Sequence, residues 1–164
     1  MKKVICFLLA VVSLWMLAAC EKDGQENAKF APFTIGTVTV TVGAEAAPVI
    51  EALGAYESFA ETDSCYGDGK DKVYQYTSYK IQTYSNAGVD YILSVELFSD
   101  SDESVKTVEG IRVGDSRDAA VALYGTPDTE NTSQLVYENK TNGTKLQFLL
   151  RDGKVSYIQY LKGN

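Results

Sequence analysis

The sequence predicts an α+β fold: short helices packed on one face of an antiparallel sheet, with that arrangement made twice in tandem. Three observations predict it. The stretch IRVGDSRDAAVALYGTPD (111–128) sets a glycine, an acidic stretch, about two helical turns of small apolar residues and a second glycine in a row. A looser copy, VTVGAEAAPVIEALGAYE (40–57), lies 71 positions earlier; Gly43 to Gly54 and Gly114 to Gly125 are both eleven apart. Each stretch is followed by three strand-like runs. Downstream, YKIQTYSNAG (79–88) aligns with TKLQFLLRDG (144–153), which reads as an internal duplication.

The N-terminal residues stand outside this pattern. Lys2 and Lys3 form a positive start, and Val4 to Trp15 is an apolar run too short to span a bilayer comfortably. It ends in Leu17-Ala18-Ala19-Cys20, which resembles the bacterial lipoprotein lipobox. The resemblance implies a signal peptide over 1–19 and a diacylglycerol-modified Cys20 at the first mature position. The polar segment 20–33 then reads as the lipidated cysteine and a flexible tether, ending where Phe30-Ala31-Pro32-Phe33 docks.

The folded region divides at the acidic stretch Ser99–Glu103, giving a first unit over 34–103 and a second over 104–164. In the first, Ile35–Val42 alternates Thr and Val, the period of a strand with one buried face. Ala46–Leu53 is a short helix closed by Gly54, with Pro48 tolerated in its first turn. The segment Tyr56–Lys72, with two glycines and several acids, reads as a loop. Strands follow at Val73–Thr77, Tyr79–Tyr84 and Tyr91–Phe98, with a turn at Ser85–Gly88. In the second unit, Asp115 or Ser116 caps a helix that runs to Tyr124 and stops at Gly125, where the left-handed conformation is expected. Strands are expected at Leu135–Glu138, Thr144–Leu150 and Lys154–Leu161, with turns at Asn142-Gly143 and Asp152-Gly153.

The second stretch, with the strands that end in GKVSYIQY, resembles the SmpA/OmlA (BamE-like) lipoprotein domain, whose pattern runs Ile-x-x-Gly, a short helix, then Leu-Gly-x-Pro. A tandem pair of such units resembles the architecture of the beta-lactamase inhibitory protein (BLIP). The nearest likeness is to two-repeat lipoproteins of Gram-positive bacteria. The resemblance implies two BamE/BLIP-like repeats over most of 34–162 and a place on the outer face of a bacterial cell membrane. Asp115 departs from a frequent Met, the first copy lacks a Pro after Gly54, and the inhibitor's paired cysteines are missing. Inhibition of beta-lactamase therefore does not carry over by motif.

Composition excludes several classes. The net charge is −7; the leader holds two of the fifteen basic residues and none of the twenty-two acidic ones, so the chain from Cys20 onward carries −9. Such a chain repels nucleic acid and anionic headgroups, which leaves the lipid as its membrane contact. There is no histidine, so Ser-His-Asp and Cys-His sites are absent, as is the commonest zinc ligand. Cys65 stands alone in an acidic loop that disfavours its thiolate, and reads as a packing residue. The acids at 61–71 and 100–103 lack the ligand order of a calcium loop. No carboxylate is read as lying in an apolar setting. No cofactor and no metal is expected, and no catalytic residue is assigned.

The informative residue is tyrosine, present eleven times. Strand alternation places Tyr79, Ile81, Leu146, Phe148 and Leu150 under the helices. It places Tyr74, Tyr76, Lys80, Gln82, Tyr84, Tyr137, Lys145, Gln147 and Tyr157 on the other, open face. Tyr offers large contact area at low entropy cost and is enriched at binding surfaces. The expected function is a lipid-anchored, non-enzymatic binding or scaffold module that holds an envelope or extracellular protein on this face. A protein inhibitor of an extracellular hydrolase is the alternative, and an enzyme using two carboxylates is a third.

Overall fold

In the computed structural model, which describes residues 33–65 and 68–163, the Thr/Val run is folded back on itself. Gly36, at φ 58°, breaks it into a hairpin of β1 (Phe33–Ile35) and β2 (Val38–Val40) where one strand was expected. The leader, Cys20 and nearly all of the tether lie outside the described residues. Helix α1 (Ala46–Leu53) follows, then β3 (Ser58–Asp63), β4 (Lys70–Gln75), β5 (Tyr79–Asn86), β6 (Val89–Leu97) and β7 (Val105–Thr107). Helix α2 (Arg117–Tyr124) precedes β8 (Thr129–Asn131), β9 (Gln134–Glu138), β10 (Thr144–Arg151) and β11 (Lys154–Lys162).

The expected fold class is corrected. About half of the described residues are strand and 12% are helix, so the chain is mostly β. Two antiparallel sheets replace the expected pair of α+β repeats. The larger has eight strands in the order β3-β4-β5-β6-β11-β10-β9-β8; the smaller has three, β2-β1-β7. The missed strands explain the error. β3 is exposed at all six positions and β8 at all three, so neither has the apolar alternation that marks a half-buried strand. Strands β1, β2 and β7 are only three residues long, too short for a period to register. The two expected units also share their sheets. β1 pairs with β7, and β6 pairs with β11 at the centre of the larger sheet.

The helices form where expected, and their ends have named causes. The Ser116 hydroxyl accepts from the Ala119 amide and caps α2, with Asp118 in the first turn. α1 has no such cap: Glu45 precedes it without a side-chain bond. Both helices end on a glycine, at φ 77°, ψ −148° for Gly54 and φ 78°, ψ −153° for Gly125. This is not the left-handed helical conformation expected; it is a region that essentially only glycine enters. Two hairpins turn through Ala87-Gly88 (φ 51°, 79°) and Asp152-Gly153 (φ 52°, 74°), both with the paired positive φ of a two-residue turn matched to strand twist.

One core joins the layers. Ile81, Ile92, Val95, Leu97, Ile158, Tyr160, Leu146, Phe148 and Leu135 line one face of the large sheet. Phe33 and Val40 from the small sheet, Ala46 from α1, and Ala120 and Tyr124 from α2 pack on them. The Phe33 ring meets Tyr160 edge-on at 4.4 Å, which seats the small sheet against the large one. Each such buried side chain contributes roughly 1.5–3 kcal/mol, which is how a fold without an internal disulfide among its described residues is held.

Candidate functional site

Register decides which side chains share a face, because directly paired residues point the same way. Gln75 pairs with Lys80, Lys80 with Glu96, Glu96 with Gln159, Gln159 with Gln147 and Gln147 with Val136. These residues form one row across six strands on the face away from the core. The next row is Val73, Gln82, Ser94, Leu161, Lys145 and Glu138. On the other side of the first, Tyr157 pairs with Leu149 and Leu149 with Gln134. Tyr84 pairs with Tyr91, their rings 5.6 Å apart.

Six of the nine expected site residues lie on this face: Lys80, Gln82, Tyr84, Lys145, Gln147 and Tyr157. The other three do not. Tyr74 pairs with Ile81, and Tyr137 with Leu146, so both are on the core side. Tyr76 is buried and stacks on Tyr79 at 4.5 Å. Burial raises the phenol pKa of Tyr74 and Tyr76, and pushes that of Tyr137 up to about 12. The parity of β4 and β9 relative to their neighbours is set by pairing, and the turn lengths that fix it are not legible from alternation alone.

The centre of the face is a residue that sequence reasoning passed over. Glu96 is 3% exposed, although it points away from the core. Lys80 Nζ lies 2.8 Å from its Oε2, Gln82 Nε2 donates to Oε1 at 2.7 Å, and Ser94 Oγ donates at 3.4 Å. The Tyr157 hydroxyl donates to Oε2 as well. A carboxylate taken out of water loses several kcal/mol of solvation. Here one ammonium and three neutral donors replace the water, and charge-assisted bonds contribute roughly 1.5–3 kcal/mol each. The residues come from β5, β6 and β11, so the network ties the two halves of the sheet at their seam. In YILSVELF the flanking Val95 and Leu97 point to the core side, so they mark Glu96 as facing outward and give no sign of its burial.

The rest of the face is held the same way. Gln147 Nε2 donates to Gln134 Oε1 at 2.9 Å, and Lys145 Nζ lies 3.0 Å from Glu138 Oε1. Lys162 Nζ donates to the Tyr84 hydroxyl at 3.1 Å. Lys80, Glu96, Lys145 and Glu138 cancel in charge. Around them Tyr157, Leu149, Leu161, Val136 and Val73 are half-buried, so their apolar surfaces are partly open. The arrangement supplies fixed hydrogen-bonding groups and aromatic area. Among the described residues no group of three or more acids or cysteines could hold a metal. Cys65 is exposed, not packed, and forms no disulfide among the described residues.

No protein-family model, no curated protein and no solved structure matches this chain. No helix among the described residues is long and apolar enough to cross a membrane, which says nothing of strands.

Proposed function

We propose that the chain is a lipid-anchored, non-enzymatic binding module of a bacterial envelope, and that the open face of its large sheet holds a protein partner. Lipid on Cys20, the likeness to SmpA/OmlA and BLIP-like lipoproteins, and the outer membrane face are parts of this proposal. They rest on the Leu17–Cys20 sequence and on the 111–128 motif. The supporting observation is the Glu96 network with the neutral, amide-rich face around it. An acidic chain that keeps one broad face free of net charge leaves a surface a partner can approach without repulsion. Side chains already locked by Lys80, Gln82 and Tyr157 lose little freedom on binding, which lowers the cost of association.

The test is a crosslinking capture from native membranes. Wild type is compared with Gln147→Arg/Gln159→Arg, a change that adds bulk and charge to the face without touching the core; because Gln159 is paired with Glu96, equal urea stability of the two proteins is checked first. One protein crosslinked to wild type and lost from the double variant supports the reading. Identical capture profiles remove the face from consideration. If the captured protein is an extracellular hydrolase whose activity falls on binding, the inhibitor reading takes over.

A further inference from the structure

The first edge of the large sheet is open in a way the other edge is not. β3 has six residues, no proline and no lysine, and every position is exposed. Its pairing with β4 runs Ser58↔Gln75 through Asp63↔Lys70, and the next pair closes with the Ser64 amide donating to the Gly69 carbonyl at 3.0 Å. Bonded and non-bonded pairs alternate in an antiparallel ladder. Ser58, Ala60 and Thr62 therefore turn their main-chain groups toward β4, while Phe59, Glu61 and Asp63 turn theirs outward. The side chains of those same three residues lie on the core side of the sheet, since Phe59 pairs with Tyr74.

An uncovered aromatic cluster adjoins this edge. Tyr56 and Phe59 are each 44% exposed. Phe59 lies 5.2 Å from Tyr74, and Tyr56 lies 5.3 Å from Tyr74 and 5.9 Å from Phe59. Beyond it stand Glu61, which is paired with Lys72 across the ladder but makes no ion pair among the described residues, and Asp63, which pairs with the exposed Lys70 at 2.8 Å. The opposite edge is blunted. β8 has three residues, and Arg117 from α2 already donates to its Glu130.

A second copy of the chain does not fit β3. Antiparallel self-pairing must set outward residues opposite outward residues. Centring on Glu61 places it against its own copy. Shifting one way sets Glu61 against Asp63, and shifting the other sets Asp63 or Glu61 against Glu57. Like charges directly opposite are destabilising. The edge complements a basic strand.

We propose that β3 takes up an extended segment of another protein as a ninth, antiparallel strand. A large apolar residue of that segment sits on Tyr56 and Phe59, and Lys or Arg at alternate positions face Glu61 and Asp63. Strand addition of this kind draws affinity from main-chain bonds and specificity from alternate side chains. This surface is separate from the amide-rich face, and either can fail without the other.

The probe is the blocked peptide Thr-Lys-Thr-Lys-Thr-Leu-Thr, whose two Lys oppose Asp63 and Glu61 and whose Leu opposes Phe59. Full-length chain in detergent micelles is followed by amide hydrogen exchange. In the free chain, the amides of Ala60 and Thr62 exchange slowly and those of Phe59, Glu61 and Asp63 fast. Saturating peptide is expected to slow the latter three by about tenfold or more. Peptide with Glu for both Lys, or with N-methylated Lys amides, leaves them fast. Glu61→Lys/Asp63→Lys reverses the preference between the Lys and Glu peptides. Equal protection by both peptides, or none by either, overturns the proposal. So does sedimentation as a dimer with Phe59, Glu61 and Asp63 protected before peptide is added, which assigns the edge to a second copy.

Discussion

The molecule contains two aromatic clusters on the core side of its large sheet, and only one of them is closed. In the second half, Tyr124, Tyr137 and Phe148 stand 5.3–6.0 Å apart and are all buried. In the first half, Tyr56, Phe59 and Tyr74 are packed at similar distances, with Tyr76 and Tyr79 beneath, yet the outer rings face water. The difference begins at one residue. Tyr124 is the last residue of α2 and is 1% exposed; Leu53 is the last of α1 and only half-buried. The Tyr124 ring reaches both aromatic neighbours, and its hydroxyl donates to Glu109. The Tyr137 hydroxyl then donates to the carbonyl of Gly125 at 3.1 Å, tying β9 to the helix end. Leu53 has neither the ring nor the hydroxyl. What closes a cluster here is a large residue at the helix end with a polar tip that finds a partner.

The largest test of this contrast is Tyr124→Ala. It opens a cavity among Tyr137 and Phe148 and leaves Glu109 without its donor, and it is expected to cost about 3–5 kcal/mol. Urea unfolding measures it. A loss near 1 kcal/mol or less would mean that the second cluster is no more closed than the first.

Alkaline titration tests the closed cluster more finely. Burial raises the phenols of Tyr124 and Tyr160 strongly, and pushes Tyr137 to about 12. A folded-state pKa above the unfolded value near 10 means that the unfolded chain gives up its proton first. The stabilisation is thus complete below about pH 10 and is lost as pH rises toward 12. Wild type is expected to lose stability steeply across this window, and Tyr137→Phe less steeply, because it has no proton to lose there. Equal slopes would show that Tyr137 is not held in the protonated form by its surroundings.

The same contrast marks what could be read from the sequence. The helices were legible within a residue, because Gly54 and Gly125 end them and Asp115 or Ser116 marks the start of the second. The six half-buried strands of the large sheet were legible within a few residues, because alternation records one wet and one dry face. β3 carries no alternation, since both its faces are wet, and the segment passed for a loop. The face of Tyr74 and Tyr137 was misassigned because tyrosine is at home on either side of a sheet; only the pairing Tyr74↔Ile81 decides it. Glu96 was missed for the opposite reason. Its burial comes from Lys80 and Gln82 on β5 and Tyr157 on β11, sixty-one positions away, and no local pattern encodes that meeting. The α+β expectation failed on proportion: two eight-residue helices were weighed against seven expected strands, where the fold has eleven strands in all among the described residues.

The smallest effect should come from the open cluster. Phe59→Ser removes an aromatic ring that is 44% exposed on an edge strand. Surface changes away from caps, cavities and buried charges usually stay within about 0.5 kcal/mol. Here the lost contacts with Tyr56 and Tyr74 are offset in part by removing apolar surface from water. Urea unfolding of Phe59→Ser is therefore expected to overlay wild type within about 0.5 kcal/mol, while the Lys-peptide protection of Glu61 and Asp63 falls away. That pair of results would separate stability from recognition at this edge. A loss of 2 kcal/mol or more would instead show that Phe59 is structural, and the two clusters would then differ in exposure but not in role.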